Sequence, residues 1–197
     1  MLKLCLFIGI LLPTIAAAQL YDGRFTSFLG FELNKTNLGE IKESFGEAPL
    51  LESGDAGEYE AKICYIGNVG TIYFISGEMG RPDHELLGFE ISEKEPGDEK
   101  LCSPLPEQLA SSRLKISGLY LGMTKKEFES VTGKGFLKKT NSGGWYLLEY
   151  TIPMTKKEIA KIPPEDTYQF WDVSLGLKPT FKEGHMSKLR VYQTQSN

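Results

Sequence analysis

The chain has two histidines, and each is a candidate for acid–base chemistry because an ordinary histidine titrates near neutrality. His84 lies in the polar turn at residues 83–85, and His185 follows a turn at residues 183–184. A catalytic histidine needs a nucleophile or a carboxylate placed beside it, but neighbours within one turn point in different directions. We therefore predict that both histidines occupy solvated loops. A small hydrolase that uses one of them is kept as an alternative.

The familiar catalytic motifs do not occur in the sequence. It contains no G-x-S-x-G nucleophile elbow, no H-E-x-x-H metal site, no G-x-x-x-x-G-K-[ST] phosphate loop and no Cys/His cluster with zinc spacing. We therefore predict no catalytic residues, no metal and no cofactor, and expect a protein that is not an enzyme. The formal net charge of −4 also gives no indication of a nucleic-acid partner.

Aromatic residues of the second half are the best candidates for a binding surface. Tyr168 and Phe170 alternate with Trp171, so a strand here would carry aromatics on both faces. One face must pack on helices, and the other can present an exposed aromatic to a protein partner. The alternative is that loops, or an insert at residues 153–165, cover that face. The protein-binding candidates are Trp145, Tyr146, Tyr150, Tyr168 and Trp171.

The N-terminus has the pattern of a secretory signal peptide. Lys3 precedes an apolar stretch at residues 4–12, which is too short to span a bilayer as a helix, and small residues follow up to Ala18. We predict a signal peptide at residues 1–18 and a soluble mature protein that is periplasmic or secreted. Cys5 stands too early to be a lipidation site, and no later apolar run suggests a membrane anchor.

Cleavage after Ala18 would leave two cysteines, Cys64 and Cys102. Two cysteines in an oxidising compartment most simply form a disulfide. A loop of this length would stabilise the fold by about 4 kcal/mol in the chain-entropy description. The alternative, a reactive thiol pair, lacks the C-x-x-C spacing and a histidine close in sequence.

Two segments have the outline of a short capped helix that ends at a glycine. Thr36 and Thr124 are the predicted N-caps, because a threonine hydroxyl accepts a hydrogen bond from the first turn. Glu127 stands three residues after Thr124 and completes a capping box, whereas Glu40 stands four after Thr36. The predicted buried stripes are Leu38, Ile41 and Phe45 in the first helix and Phe128 and Val131 in the second.

The letters MTKKE, which open the second helix, occur again at residues 154–158. Thr155 and Glu158 again have the spacing of a capping box, and Pro163-Pro164 follows. We predict a single helical turn here, within an insert between two strands.

Three strand patterns follow each helix. They lie at residues 58–66, 71–76 and 86–92, and at residues 145–152, 168–177 and 186–193. The predicted fold is α+β, with two tandem repeats that each contain a short helix region and a three-stranded antiparallel meander; one shared curved sheet is an arrangement that the pattern allows. The predicted boundaries are 19–103 for the first repeat, 104–115 for a linker and 116–197 for the second repeat, and the Pro- and Gly-rich residues 93–112 surround the linker.

The run Leu121-Gly122-Met123-Thr124, ending at Gly133, resembles the helix start of the SmpA/OmlA family of outer-membrane assembly lipoproteins, and residues 33–46 resemble it more weakly. The tandem form of this superfamily is similar to the β-lactamase inhibitor protein. The resemblance implies a two-repeat fold and a protein-binding role. The sequence departs from it at Asn34-Lys35, where Gly-Met is expected, and in having no lipid-anchor cysteine.

These patterns together predict an exported, non-catalytic protein-binding module of the bacterial cell envelope, with an inhibitor or immunity-type protein as one form. A structural factor in envelope or outer-membrane assembly is the first alternative, and the small hydrolase is the second.

Overall fold

The computed structural model describes residues 23–55, 57–80, 82–110, 113–139, 144–164 and 166–196. The predicted signal peptide and its cleavage site lie outside these residues. Among the described residues, no helix is long and apolar enough to cross a membrane.

The protein belongs to the α+β class, as predicted, and is mostly antiparallel sheet. The helices are α1 (Leu38–Phe45), α2 (Asp98–Leu101), α3 (Glu107–Ala110), α4 (Lys125–Thr132) and α5 (Lys156–Ile159), with 3₁₀ turns at Gly23–Phe25 and Glu78–Gly80. The strands are β1 (Ser27–Phe28), β2 (Phe31–Glu32), β3 (Leu51–Ser53), β4 (Glu60–Gly67), β5 (Gly70–Gly77), β6 (Gly88–Ser92), β7 (Ser103–Pro104), β8 (Leu137–Lys139), β9 (Trp145–Pro153), β10 (Phe170–Lys182) and β11 (His185–Ser196). The six predicted strands correspond to β4, β5, β6, β9, β10 and β11.

One nine-stranded sheet contains strands from both halves of the chain. Its order is β3-β4-β5-β6-β11-β10-β9-β8, with β7 paired in parallel to β4, while β1 and β2 form a separate hairpin. The central junction joins β6 to β11 in antiparallel register, with Leu189 opposite Ile91 and Arg190 opposite Glu90. The last strand of each half therefore lies at the middle of the sheet.

The predicted caps of α4 and α5 are confirmed, but the cap of α1 is not Thr36. Asn37 caps α1, and its side chain forms a capping box with Glu40. The Thr36 hydroxyl instead accepts a hydrogen bond from the backbone N–H of Glu32 (3.0 Å). The first capping box therefore has the same three-residue spacing as those of Thr124 and Thr155.

The chain enters α1 and α4 in the same way. Asn34 and Gly122 both have positive φ, and their N–H groups donate to the carbonyls of Leu86 and Met186, each at 2.7 Å. The helix cap then follows three residues after Asn34 but two residues after Gly122. The lead-in to α1 is thus one residue longer, which explains why its cap was assigned one position too early.

Residues from both halves share one hydrophobic core beneath the sheet. The helices contribute Leu38, Ile41 and Phe128, and Phe45 and Val131 pack against the cluster as partly buried residues. The sheet contributes, among others, Ile63, Tyr65, Ile72, Phe74, Phe89, Ile91, Leu148, Leu175, Leu189 and Val191. The helices are short, so packing against this core stabilises them more than intrinsic propensity does.

The region predicted to surround the linker contains regular structure. Residues 93–104 include α2 and β7, and α3 follows directly. Leu105 and Leu114, on either side of α3, are both buried in the core. The connection between the halves is thus packed on the protein at both ends.

Candidate functional site

The two sides of the sheet differ in how they are covered. On β9, Tyr146, Leu148 and Tyr150 face the core, and the alternate residues Trp145 and Leu147 face outward. The outward side of β9, β10 and β11 is called the open face here. Its central residues are Trp145, Leu147, Ser174, Gly176, Tyr192 and Thr194.

In the first half, the corresponding side of the sheet is covered at one end by residues 93–104, called the covering segment here. Cys64 and Cys102 lie at disulfide-bond distance, with their Cα atoms 4.8 Å apart, as predicted. Cys64 is fully buried, although it lies on the side of β4 that faces away from the core. The disulfide thus fastens the covering segment to β4.

Buried Asp98 gives the covering segment a second attachment. Its carboxylate accepts hydrogen bonds from the Thr71 hydroxyl (2.8 Å) and the Tyr73 hydroxyl (3.3 Å), both on β5. Burial, together with the nearby Asp98 charge and hydrogen bond, raises the pKa of Tyr73 to about 12. The covering segment is therefore bound to both β4 and β5, whereas none of the described residues forms such a segment over β9 and β10.

Two aromatic rings lie flat against the open face because glycines stand beneath them. A Cβ atom on Gly176 would come within 2.7 Å of the Trp145 ring, and one on Gly88 within 2.6 Å of the Tyr192 ring. Real Cβ atoms do not approach other atoms so closely, so only glycine leaves room for these rings. Trp145 and Tyr192 are both partly exposed.

Adjoining depressions turn this face into a shallow groove. A depression of about 470 Å³ has Trp145 and Tyr192 among its walls, and both residues also line a neighbouring depression of about 240 Å³. Ser174 and Thr194 connect the latter to a further depression of about 470 Å³. The groove therefore passes over the aromatic centre from the end of β5 toward the end of β11.

Charged side chains are arranged around this groove. Arg190, on β11, donates hydrogen bonds to Glu90 and Glu60, each at 2.8 Å. Burial lowers the pKa of Arg190, but the two carboxylates outweigh burial and raise it overall. Lys188 also pairs with Glu90 (3.2 Å). Arg190 is therefore held in place and is not a mobile surface cation.

The structure places the five predicted binding residues in different environments. Tyr146 and Tyr150 are buried on the core side, where the Tyr146 hydroxyl donates to Glu129 (2.9 Å). Trp171 also lies on the core side, and its indole N–H donates to Glu158 of the insert (3.2 Å). Tyr168 is 48% exposed but precedes β10. Trp145 alone among the five lies on the open face.

Tyr192, Leu147 and Gly176 belong to this surface but were not predicted. Tyr192 alternates with the core residue Val191 along β11, so its outward position could have been inferred from the strand period. Gly176 interrupts an apolar strand pattern, and a glycine within a strand often marks a close approach by another group. The pairing of β9 with β10 and of β10 with β11 brings these residues together, and the sequence does not specify it.

The two histidines lie at or next to turns. His84 adopts φ +51°, and its backbone carbonyl accepts the N–H of Leu38. His185 is exposed at the start of β11, beside the cap residue Thr124. In the described part of the chain, no three His, Cys, Asp or Glu side chains are grouped to hold a metal ion.

Comparison of the chain with protein-family models, with curated proteins and with solved structures finds no match.

Proposed function

We propose that the protein is an exported, non-catalytic binding protein that recognises another protein through the open face. The observation that carries this proposal is the pair of aromatic rings, Trp145 and Tyr192, supported on glycines of an uncovered sheet face. Partly exposed Trp and Tyr held in fixed positions are common anchors of protein interfaces. They supply a large contact area with few side-chain torsions to immobilise on binding.

The charges of the groove indicate the chemistry of the partner. Glu58 and Glu78 line one end, and Glu149 and Asp172 line the other, with the aromatic centre between them. Arg190, which also lines the groove, is already paired with two carboxylates, and Lys178 lies over the Trp145 ring with its Nζ 5.5 Å from the ring centroid. A partner segment with an apolar or aromatic middle and basic residues on both sides would complement this arrangement.

The proposal includes an architecture of two repeats, related at the junction of β6 and β11. The equivalent capping boxes of α1 and α4 support it, as do the equivalent hydrogen bonds of Asn34 and Gly122. The order of the strands supports it too, because β4-β5-β6 and β9-β10-β11 approach the centre of the sheet from opposite sides. In this description the repeats differ in that the covering segment lies over the first one. The outward side of the second one is therefore accessible.

We further propose that binding inhibits the partner. This mode of action comes from the resemblance of the Leu121–Thr124 run to the superfamily that includes the β-lactamase inhibitor protein. An open sheet face that presents aromatic residues is suited to blocking an active-site entrance, since it needs no catalytic groups of its own. A β-lactamase is accordingly the first enzyme to assay.

The test is affinity capture from cell-envelope extract with the mature protein, mild crosslinking and mass spectrometry. The wild-type protein is compared with Trp145→Ala and Tyr192→Ala, and Tyr168→Ala serves as the control because Tyr168 is exposed but lies outside the open face. We expect one stoichiometric partner that both open-face variants lose and the control retains. A partner captured equally by all four proteins would exclude the open face as the binding site.

Purified partner then tests inhibition directly. If the partner is an enzyme, its activity should fall in proportion to added protein, and Trp145→Ala should weaken the effect by at least about tenfold, as expected for a central aromatic anchor. Full activity of a saturated complex would contradict inhibition but not binding.

A further inference from the structure

A second cleft lies on the other side of the sheet, where the turn after β2 meets the insert. Its volume is about 240 Å³, smaller than the roughly 300–1,000 Å³ of sites for drug-sized ligands. Asn34 lines one wall, Ile152 and Trp171 line another, and Gln193 is also part of the lining. The cleft is therefore too small for most drug-sized ligands, but it can take a short chain segment. Apolar as well as polar groups surround it.

Two amide side chains in this cleft have polar atoms with no partner among the described residues. Gln193 is only 4% exposed, and its Oε1 accepts no hydrogen bond. The Nδ2 of Asn34 is likewise buried and donates none. One atom is an acceptor and the other a donor, so the cleft wall carries one unsatisfied group of each kind.

Backbone hydrogen bonds hold these two residues near each other. The N–H of Asn34 donates to the Leu86 carbonyl (2.7 Å), and the N–H of Gln193 donates to the Leu87 carbonyl (2.8 Å). The carbonyls of two consecutive residues, Leu86 and Leu87, thus hold the backbone of the two residues that carry the amide side chains. The terminal torsion of an amide side chain is soft, so each group can turn toward a ligand without moving the backbone.

Unsatisfied buried polar atoms destabilise a fold, so two in one cleft require an explanation. Asn34 adopts φ +57°, a conformation that glycine adopts without strain and that asparagine tolerates better than most other residues. Glycine occupies the matching position before α4, at Gly122. Glycine and asparagine both suit this turn, so the turn does not account for the unsatisfied amide group.

We propose that this cleft binds a secondary amide, in the form of an extended peptide segment, between Gln193 and Asn34. The peptide N–H donates to Gln193 Oε1, and the carbonyl of the same segment accepts from Asn34 Nδ2. Trp171 and Ile152 supply apolar contacts for one side chain. This site is separate from the open face and does not depend on the function proposed for it.

The peptide can be a free short peptide or a loop of a larger partner, and the test separates these sources. Acetyl-trialanine-amide and trialanine with free termini are titrated into ¹⁵N-labelled protein at millimolar concentrations, and amide shifts are followed by NMR. We expect saturable shifts at Gln193, Asn34 and the Trp171 indole N–H. A preference for the capped peptide indicates a loop, and a preference for free termini indicates a free peptide.

Gln193→Met and Asn34→Gly test the two hydrogen bonds while preserving the shape of the side chain or of the turn. Each variant removes an unsatisfied atom, so we expect its free energy of unfolding to be unchanged or higher and its peptide affinity to fall by about tenfold or more. An acetyl-trialanine-amide analogue with an ester in place of the central amide lacks the N–H donor. Its affinity for wild-type protein should fall by the same factor. Tyr192→Ala, on the opposite face, should bind like wild type.

The proposal is overturned if neither peptide produces saturable shifts, or if the ester and both variants bind as well as their references. Loss of stability in Gln193→Met without peptide binding by the wild type would assign the amides a purely structural role, such as holding a buried water. The ester comparison uses wild-type protein and remains decisive if a variant fails to fold.

Discussion

Arg190 Nε lies 2.8 Å from Glu90 Oε2, and this contact joins the two halves of the chain at the centre of the sheet. The residues are opposite each other in the β6–β11 ladder and are 100 positions apart in sequence. Glu90 is 6% exposed, so its carboxylate depends on Arg190 and Lys188 for compensation. Charged side chains therefore hold the junction on its outward side. On the core side, apolar packing by Leu189, Val191 and the residues opposite them holds it.

Removal of Arg190 should destabilise the protein strongly. Arg190→Met leaves Glu90 buried with one remaining cationic neighbour, and we expect a loss of about 2–4 kcal/mol in the free energy of unfolding. Replacing both residues, as Arg190→Met with Glu90→Leu, should recover most of that loss, because the buried Glu90 carboxylate is then absent. Urea denaturation of the three proteins measures both effects. Equal losses in the single and double variants would show that packing, and not charge, holds the junction.

Gly176→Ala should displace the Trp145 ring from the sheet. The added Cβ would meet the ring at 2.7 Å, so the indole must rotate outward into solvent. In a Trp171→Phe background, where Trp145 is the remaining tryptophan, we expect its fluorescence to shift to longer wavelength. Gly135→Ala is the matched control, because its Cβ would make only an ordinary 3.7 Å contact with Leu148. An unchanged spectrum in Gly176→Ala would contradict the described position of the ring.

Loss of the disulfide should release the covering segment. For a sequence separation of 38 residues, the chain-entropy description gives a loss of about 4 kcal/mol for Cys64→Ala with Cys102→Ala. Hydrogen exchange should rise at residues 93–104 and at β5, while β9 and β10 stay protected. Asp98→Asn, which keeps the disulfide, provides the comparison. Two free thiols in exported wild-type protein, found by mass spectrometry without reductant, would refute the bond itself.

The contact between the insert and Trp171 should weaken at acid pH. Hydrogen bonds from the Thr155 side chain and backbone lower the pKa of Glu158 below its usual 4.5, and the Trp171 indole N–H adds to this. Because the folded-state pKa is lowered, the stabilisation is present above pH 4.5 and is lost as pH falls through the folded-state value. The Trp171 Nε1–H resonance should therefore titrate with a midpoint below 4.5. Glu158→Gln should abolish this titration, and the Trp145 resonance serves as an internal reference.

Local patterns predicted α1, α4, α5 and six of the strands, because the causes of these elements are local, whereas α2, α3 and β7 lie in the region predicted to surround the linker. The Thr124–Glu127 and Thr155–Glu158 spacings form capping boxes as expected. The N-cap error, Thr36 in place of Asn37, arose because an additional residue precedes the first cap and both side chains are acceptable N-caps. The Cys64–Cys102 pair followed from counting cysteines and from the expected compartment.

The binding surface was less predictable, because it depends on pairing between distant strands. Trp145 and Tyr146 are adjacent in sequence, yet one lies on the open face and the other in the core. The alternation of side chains along a strand places the two residues on opposite sides of the sheet. Only the pairing of β9 with β10 shows which of these sides faces the core. Tyr192 joins Trp145 through β10, across 47 positions of sequence. The sequence pattern likewise does not predict the covering segment, because its position depends on the contact between Asp98 and β5.

The central position of β11 also determines when the protein can finish folding. β6 ends at Ser92, but its partner β11 spans residues 185–196, so one edge of β6 has no partner until those residues have been synthesised. Pairing across so long a separation is slow, and an unpaired apolar strand edge can template aggregation. Nascent chains that lack β11 would therefore be substrates for chaperones and proteases rather than shortened functional proteins.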